Sequence, residues 1–150
     1  MLSNACKYAI RAIIYLAMHS DVESKIGVKK IAEELEVPQP FLAQLLRQLT
    51  TNKLVSSTKG PGGGFFLDAK SKKISLWDIV SSIDGTEKFD SCFMGLSQCN
   101  DKDPCPVHFI VSPFRKKILG VFKDKTISEV ADEIKRGRSI ISLKDLTPGS

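Results

Sequence analysis

IAEELEVPQPFLAQLLRQL, residues 31–49, and LVSSTKGPGGGFFL, residues 54–67, decide the fold class of this chain. In the first stretch Ile31, Ala32 and Leu35 fall at helical spacing, the turn Glu36-Val37-Pro38-Gln39-Pro40 ends that helix, and Leu42, Leu45, Leu46 and Leu49 mark the next. Proline near a helix start is tolerated because the first-turn N–H groups have no intrahelical partner. Two short helices with a tight turn, the second polar on its outer face, make a helix-turn-helix pair. Many helical domains contain such a pair, so the second stretch carries the weight. Residues 54–59 and 65–67 read as two short strands joined by Gly60-Pro61-Gly62-Gly63-Gly64, a hairpin of the kind called a wing. The glycine run is not a phosphate loop. No Gly-Lys-Ser/Thr follows it, and Phe65 stands where a dinucleotide fingerprint needs its last glycine.

Working outward, Ala9, Ala12, Ile13, Leu16 and Ala17 share one helical face, while Tyr8, Ile10, Ile14, Tyr15 and Met18 make the other side apolar too. A helix of that kind is buried on most sides. Downstream, Ser75-Leu76-Trp77-Asp78 has the form of a capping box, followed by Ile79, Val80 and Ile83 facing inward up to Asp84-Gly85. Residues 86–105 lose all periodicity and read as a long loop, which in a small domain is usually functional or disordered. Val107, Ile110, Val111, Phe114, Ile118, Val121 and Phe122 then fall close to a heptad stripe, suited to dimerisation, with Ser112-Pro113 either kinking or restarting the helix. Thr126-Ile127-Ser128-Glu129 opens a last helix closed by Gly137. The expected architecture is mainly α with a small β-hairpin wing: a winged helix-turn-helix DNA-binding domain over 1–85, a cysteine loop over 86–105, a long dimerisation helix and a C-terminal helix over 106–137, and a tail over 138–150.

Charge is unevenly placed. Residues 1–73 hold 11 Lys and Arg against 6 Asp and Glu, and residues 74–150 hold 11 against 11, so the net +5 lies wholly in the first half. That asymmetry is the footprint of a phosphate-binding surface. No apolar run approaches the roughly 18 to 20 residues that cross a bilayer. Residues 1–20 are apolar but lack a small-residue cleavage site, so a soluble cytoplasmic protein without a membrane partner is expected. Nothing pairs an activated nucleophile with a base and an orienting group, so an enzyme is not expected.

Of the four cysteines, Cys92, Cys99 and Cys105 lie within fourteen residues, and Cys6 sits near the start of the first apolar helix as a small core residue. Thiolates are the soft ligands that iron-sulfur clusters need, and one flexible loop can wrap three of them round a cluster. His108, three residues beyond Cys105, is a candidate fourth ligand. Three cysteines and a histidine also make a tetrahedral zinc site, although no Cys-x2-Cys pair is present. Unliganded, redox-active thiols are the remaining alternative.

Lys7-Tyr8-Ala9-Ile10-Arg11-Ala12, Ile31-Ala32-Glu33, Phe41-Leu42-Ala43-Gln44-Leu45-Leu46 and Lys59-Gly60-Pro61-Gly62-Gly63-Gly64 together resemble the BadM/Rrf family of winged helix-turn-helix transcriptional regulators. The resemblance runs from residue 1 to about 125. It implies a homodimer built on a long helix and a palindrome-like operator in double-stranded DNA. The loop Cys92-x6-Cys99-x5-Cys105-x2-His108 looks like the IscR-like and NsrR-like cluster-binding branch, which implies an iron-sulfur cluster, [2Fe-2S] in kind, with His108 as a ligand. In the nitric oxide branch an acidic residue near the start of the first helix serves instead; here that place falls near Lys7.

On the third helix Gln39, Pro40, Ala43, Gln44, Arg47, Gln48 and Thr51 lie opposite the leucines, a face that each subunit of a dimer can lay in a major groove. Glutamine suits an adenine edge, arginine a guanine edge, and Ala43 a thymine methyl. Lys59 with Gly60, Gly62 and Gly63 in the wing, and Lys7, Arg11, Lys29 and Lys30 in the first two helices, are the candidate phosphate contacts.

Overall fold

A computed structural model describes residues 2–138. The tail expected over 138–150 therefore lies outside the described residues apart from Arg138. Helix α1 spans Asn4–His19, α2 Val28–Leu35 and α3 Gln39–Thr51. Strands β1, Ser56–Thr58, and β2, Gly64–Phe66, follow, and a 3-10 turn Ser71–Lys73 leads to α4, Leu76–Asp84. Beyond it come α5, Glu87–Asp90, α6, His108–Asp124, and α7, Ile127–Lys135.

The apolar spacing of each helix converges on one centre. Ile13 and Leu16 of α1, Ile31 and Leu35 of α2, Leu42, Leu46 and Leu49 of α3, Ile79 of α4 and Ile127 of α7 are fully buried there. Each such side chain contributes roughly 1.5 to 3 kcal/mol relative to exposure. The turn between α2 and α3 closes with Glu36 in the left-handed region, φ 55°, and the following Val37 buried. The helix-turn-helix is thus held from both sides by the same core.

The strands are shorter than the sequence suggests. Leu54, Val55 and Leu67 leave the ladder and point into the core instead, Leu67 donating its N–H to the buried Ser20 hydroxyl at 3.1 Å. Ser56 pairs with Phe66 and Thr58 with Gly64. The outer edge of β2 is also used: Ile26 and Phe65 exchange both backbone hydrogen bonds, at 2.8 and 2.9 Å. The wing is therefore fastened to the segment before α2, and two glycines make this feasible. A Cβ on Gly63 would stand 2.4 Å from the Thr58 carbonyl oxygen, and one on Gly64, φ +145°, would stand 2.8 Å from the Ile26 backbone.

Two expectations for the second half change. The segment 86–105 is not irregular throughout, because α5 makes one turn that buries Phe89 against Trp77 in a second cluster with Cys6 and Val80. One turn is too short to leave a periodic trace. Helix α6 is continuous through Pro113, neither capped nor restarted there. The proline removes one donor, and the half-buried Val111, Ile118, Leu119 and Phe122 carry the helix past it. Its other face, Ile110, Phe114 and Val121, is exposed. Helix α7 joins the main core against α1 rather than extending α6, its start clipped to that of α4 by the bonds Leu76 N–H to Lys125 O and Ile127 N–H to Ile74 O.

The two clusters are laced together at Asp84. Ser3 donates both its N–H (2.9 Å) and its hydroxyl to this carboxylate, and Lys88 donates from 2.5 Å. Burial alone would raise the Asp84 carboxyl, but Lys88 and Ser3 outweigh it and hold it below the usual range. A depressed carboxylate stabilises the fold above its unfolded-state value and loses that contribution as pH falls through the folded one. Asp84→Asn should therefore cost about 1 to 3 kcal/mol at neutral pH. Urea unfolding should show this gap closing as pH drops below the ordinary Asp value of 3.8; a gap independent of pH would show that the charge is not what matters.

Candidate nucleic-acid interface and cysteine cluster

The face of α3 opposite its buried leucines is laid bare. Gln39, Pro40, Gln44, Arg47, Gln48 and Thr51 are exposed and Ala43 half-buried. Four of these differ in what they have free to offer. Gln44 and Arg47 carry no side-chain bond among the described residues, whereas Gln48 donates to the Ser82 carbonyl at 3.2 Å and Thr51 turns its hydroxyl back onto the Arg47 carbonyl at 3.0 Å. Gln44 and Arg47 are thus unengaged among the described residues, while Gln48 is tied to α4. Lys7 is exposed; Arg11, one turn on, stacks over Tyr8, whose ring meets Phe41 of α3 edge-on. Lys29 and Lys30 are exposed on α2 and Lys59 on the wing, where Gly60 and Gly62 adopt positive φ.

The cysteine segment folds back on the start of α6 in two groups. Cys92 and Cys105 are buried together. The Leu96 N–H, working against burial and helped by the N–H groups of Met94 and Gly95 and by the Cys105 thiol, holds the Cys92 thiol below its ordinary range. Cys99, half-buried, sits instead against His108 Nδ1 at 3.5 Å and Arg115 at 3.0 Å. The opposite edge of the buried His108 ring meets Asp101 Oδ1 at 2.8 Å. An ionised carboxylate only accepts, so Nε2 carries the proton and Nδ1 is the atom turned to the thiol. The His108 bond, followed by the Lys116 charge, holds the Asp101 carboxyl below its usual range. Cys6 stands apart in the second cluster, its thiol pushed up to about 11, chiefly by burial and then by the Asp84 charge.

Sequence reasoning missed Arg115 and Asp101. Arg115 follows His108 by two helical turns, so both share one face of α6, and its second nitrogen holds the Ser91 carbonyl at 2.8 Å, stapling the segment to the helix. Asp101 is presented by a turn in which the Asn100 side chain accepts the Lys102 and Asp103 N–H groups. Thiol, imidazole and carboxylate thus stand in line from Cys99 through His108 to Asp101. As a donor set, three thiols and an imidazole have the chemistry of a cluster site. Among the described residues, however, no three His, Cys, Asp or Glu side chains converge on one metal position.

The family model for Rrf2, iron-dependent transcriptional regulators, matches residues 2–133. The chain belongs to the Rrf2 family. An HTH-type transcriptional regulator of Aquifex aeolicus (strain VF5) is 33% identical over 132 residues, 87% of this chain and 90% of that protein. The regulator IscR of Serratia proteamaculans (strain 568) is 28% identical over 131 residues, 87% of this chain and 79% of that protein. Among solved structures, IscR of T. potens superposes with a TM-score of 0.71 at 23% identity, covering 97% of this chain and 96% of that one, a likeness of fold. As an Rrf2 protein the chain is a DNA-binding transcription regulator with a winged helix, and its relatives are regulators, not enzymes. No helix among the described residues is long and apolar enough to cross a membrane.

Proposed function

We propose that this Rrf2 protein is a cytoplasmic homodimer that reads a palindrome-like operator with Gln44 and Arg47. On this reading it senses iron-sulfur, redox or nitric oxide status through a cluster, [2Fe-2S] in kind, held by Cys92, Cys99, Cys105 and His108. The observation that carries the reading is the staple at Arg115: the cysteine segment is fastened to the very helix whose exposed stripe, Ile110, Phe114 and Val121, offers a surface to a second copy. Ordering the segment on cluster loading then acts on the dimer helix, and through it on the spacing of two DNA-reading units, a disorder-to-order switch of known type. When bound, such a cluster supplies one-electron chemistry and reactivity toward oxidants. The chain's own part is to present thiols, orient the imidazole through Asp101 and exclude bulk water from Cys92 and Cys105. A second reading, sensing by thiol oxidation without metal, has the line Cys99, His108, Asp101 in its favour. Protein purified without oxygen decides between them: iron with acid-labile sulfide supports the cluster, zinc alone or neither metal nor sulfide overturns it.

DNA contacts are separable by their dependence on sequence. Arg47→Ala should flatten preference at one base position by roughly 1 to 3 kcal/mol. Lys59→Ala should weaken all sequences evenly and reduce the salt dependence. Binding to a panel of operator variants checks both, and an equal loss on every sequence for Arg47→Ala would remove its assigned role.

A further inference from the structure

Eleven cations lie in residues 1–73, and the interface described above uses six of them. Lys25 stacks on the Phe66 ring and Lys72 donates to the Ser20 carbonyl. The remaining three, Lys53, Lys70 and Lys73, all line one polar cleft of about 630 Å³ that opens between the end of α3 and strand β1. None of the three has a salt bridge among the described residues, whose ion pairs lie elsewhere. The hydroxyls of Ser56 and Ser57 also line the cleft and make no hydrogen bond among the described residues. Two carboxylates share the space, but each is bonded to the backbone of its own turn, Asp68 to the Ser71 N–H at 2.7 Å and Asp78 to the Ser75 N–H at 2.8 Å. Three ammonium groups against two carboxylates leave one positive charge, with free hydroxyl donors beside it. Lys53 itself holds a left-handed backbone, φ 62°, at the helix-ending position where glycine is usual.

We propose that this cleft takes a phosphodiester of the DNA backbone, a contact beyond those of α3, the wing tip and the first two helices. Its place argues for DNA over a free anion, since Thr50 and Lys53 follow directly on the recognition face and Ser56 and Ser57 belong to the wing strand. The proposal rests on the reading that α3 and the wing bind DNA. It extends their track without adding any preference for sequence.

The test uses the full chain and a random-sequence DNA duplex, with affinity measured across a range of salt. Lys53→Gly removes the ammonium while relaxing the backbone, so stability should hold or rise; the triple variant Lys53→Ala, Lys70→Ala, Lys73→Ala empties the cleft. The slope of log affinity against log salt should shrink by about 0.9 for the phosphate lost in the triple variant, and part of that in Lys53→Gly, with Lys135→Ala unchanged. An unaltered slope in the triple variant, alongside a reduced one in Lys59→Ala, overturns the cleft and leaves DNA binding by α3 and the wing intact. If the wild type shows no salt-dependent binding, the DNA reading fails and takes the cleft with it. Inorganic phosphate added at constant ionic strength separates the sources: if it shifts the Ser56 and Ser57 amide resonances while the triple variant keeps its DNA slope, the site is one for a free anion and the proposal is wrong.

Discussion

Alanine at Cys92, Cys99 or Cys105 is expected to strip the anaerobically purified protein of iron and acid-labile sulfide, while alanine at Cys6 leaves both in place. The asymmetry follows from how each thiol is held. A cluster ligand must be a thiolate. Cys6 is fully buried in an apolar setting that pushes its thiol up to about 11, so it stays protonated at neutral pH. Cys92 is surrounded by N–H groups, that of Leu96 foremost, that favour the thiolate. Cys99 is half-buried on the loop side, with the Arg115 guanidinium at 3.0 Å and His108 at 3.5 Å. His108→Ala should alter the visible absorption without abolishing it, because an outside ligand or water can take one vacated position. Iron, sulfide and absorption measured on the five variants test the set; loss from Cys6→Ala equal to that from Cys99→Ala would sink it.

Gly64→Ala should be strongly damaging to the wing, at roughly 2 to 5 kcal/mol from a disallowed φ combined with overpacking. The new Cβ would meet the Ile26 backbone at 2.8 Å, and backbone cannot rotate away as a side chain can. Relief requires breaking the Ile26–Phe65 pairing, which frees the wing from the segment before α2, so DNA affinity should fall as well. Gly27→Ala is the control: its backbone is ordinary extended chain, φ −73° and ψ 155°, and its Cβ would meet open space, leaving a change of about 1 kcal/mol or less. Melting curves should separate the two variants by several degrees, at about 2 to 4 °C per kcal/mol for a chain of this size. Equal melting points would mean that the close approach at Ile26 is unimportant.

What the sequence made legible is what repeats within a turn or two. The leucines of α3, the paired caps at Ser75 and Thr126 and the glycines of the wing each state their structure locally, and each is found where expected. The resemblance carried the rest of the fold. What stayed hidden depends on side chains meeting across distance. The single turn of α5 is too short to repeat, and its signal is one buried Phe89. The partition of the cysteines, Cys92 with Cys105 and Cys99 with His108, depends on how the chain doubles back, which spacing does not specify. Gln48 shares a helical face with Arg47, yet only the position of Ser82 on α4 reveals that it is engaged.

The clip between Ile74 and Ile127, and between Leu76 and Lys125, has a topological consequence. Chain that departs after α4 returns, some forty residues later, to the point where α4 began. The main core is thus assembled from two stretches, with α7 as its closing piece, and everything from Gly85 to Lys125 is an excursion whose two ends are anchored in that core. Because loop-closure entropy grows only slowly with length, such an excursion can be lengthened, shortened or exchanged while its anchors stay put. The cysteines and the long helix lie wholly within that excursion, which rests on α1 and α4 through the second cluster while the chain on either side of it closes on itself.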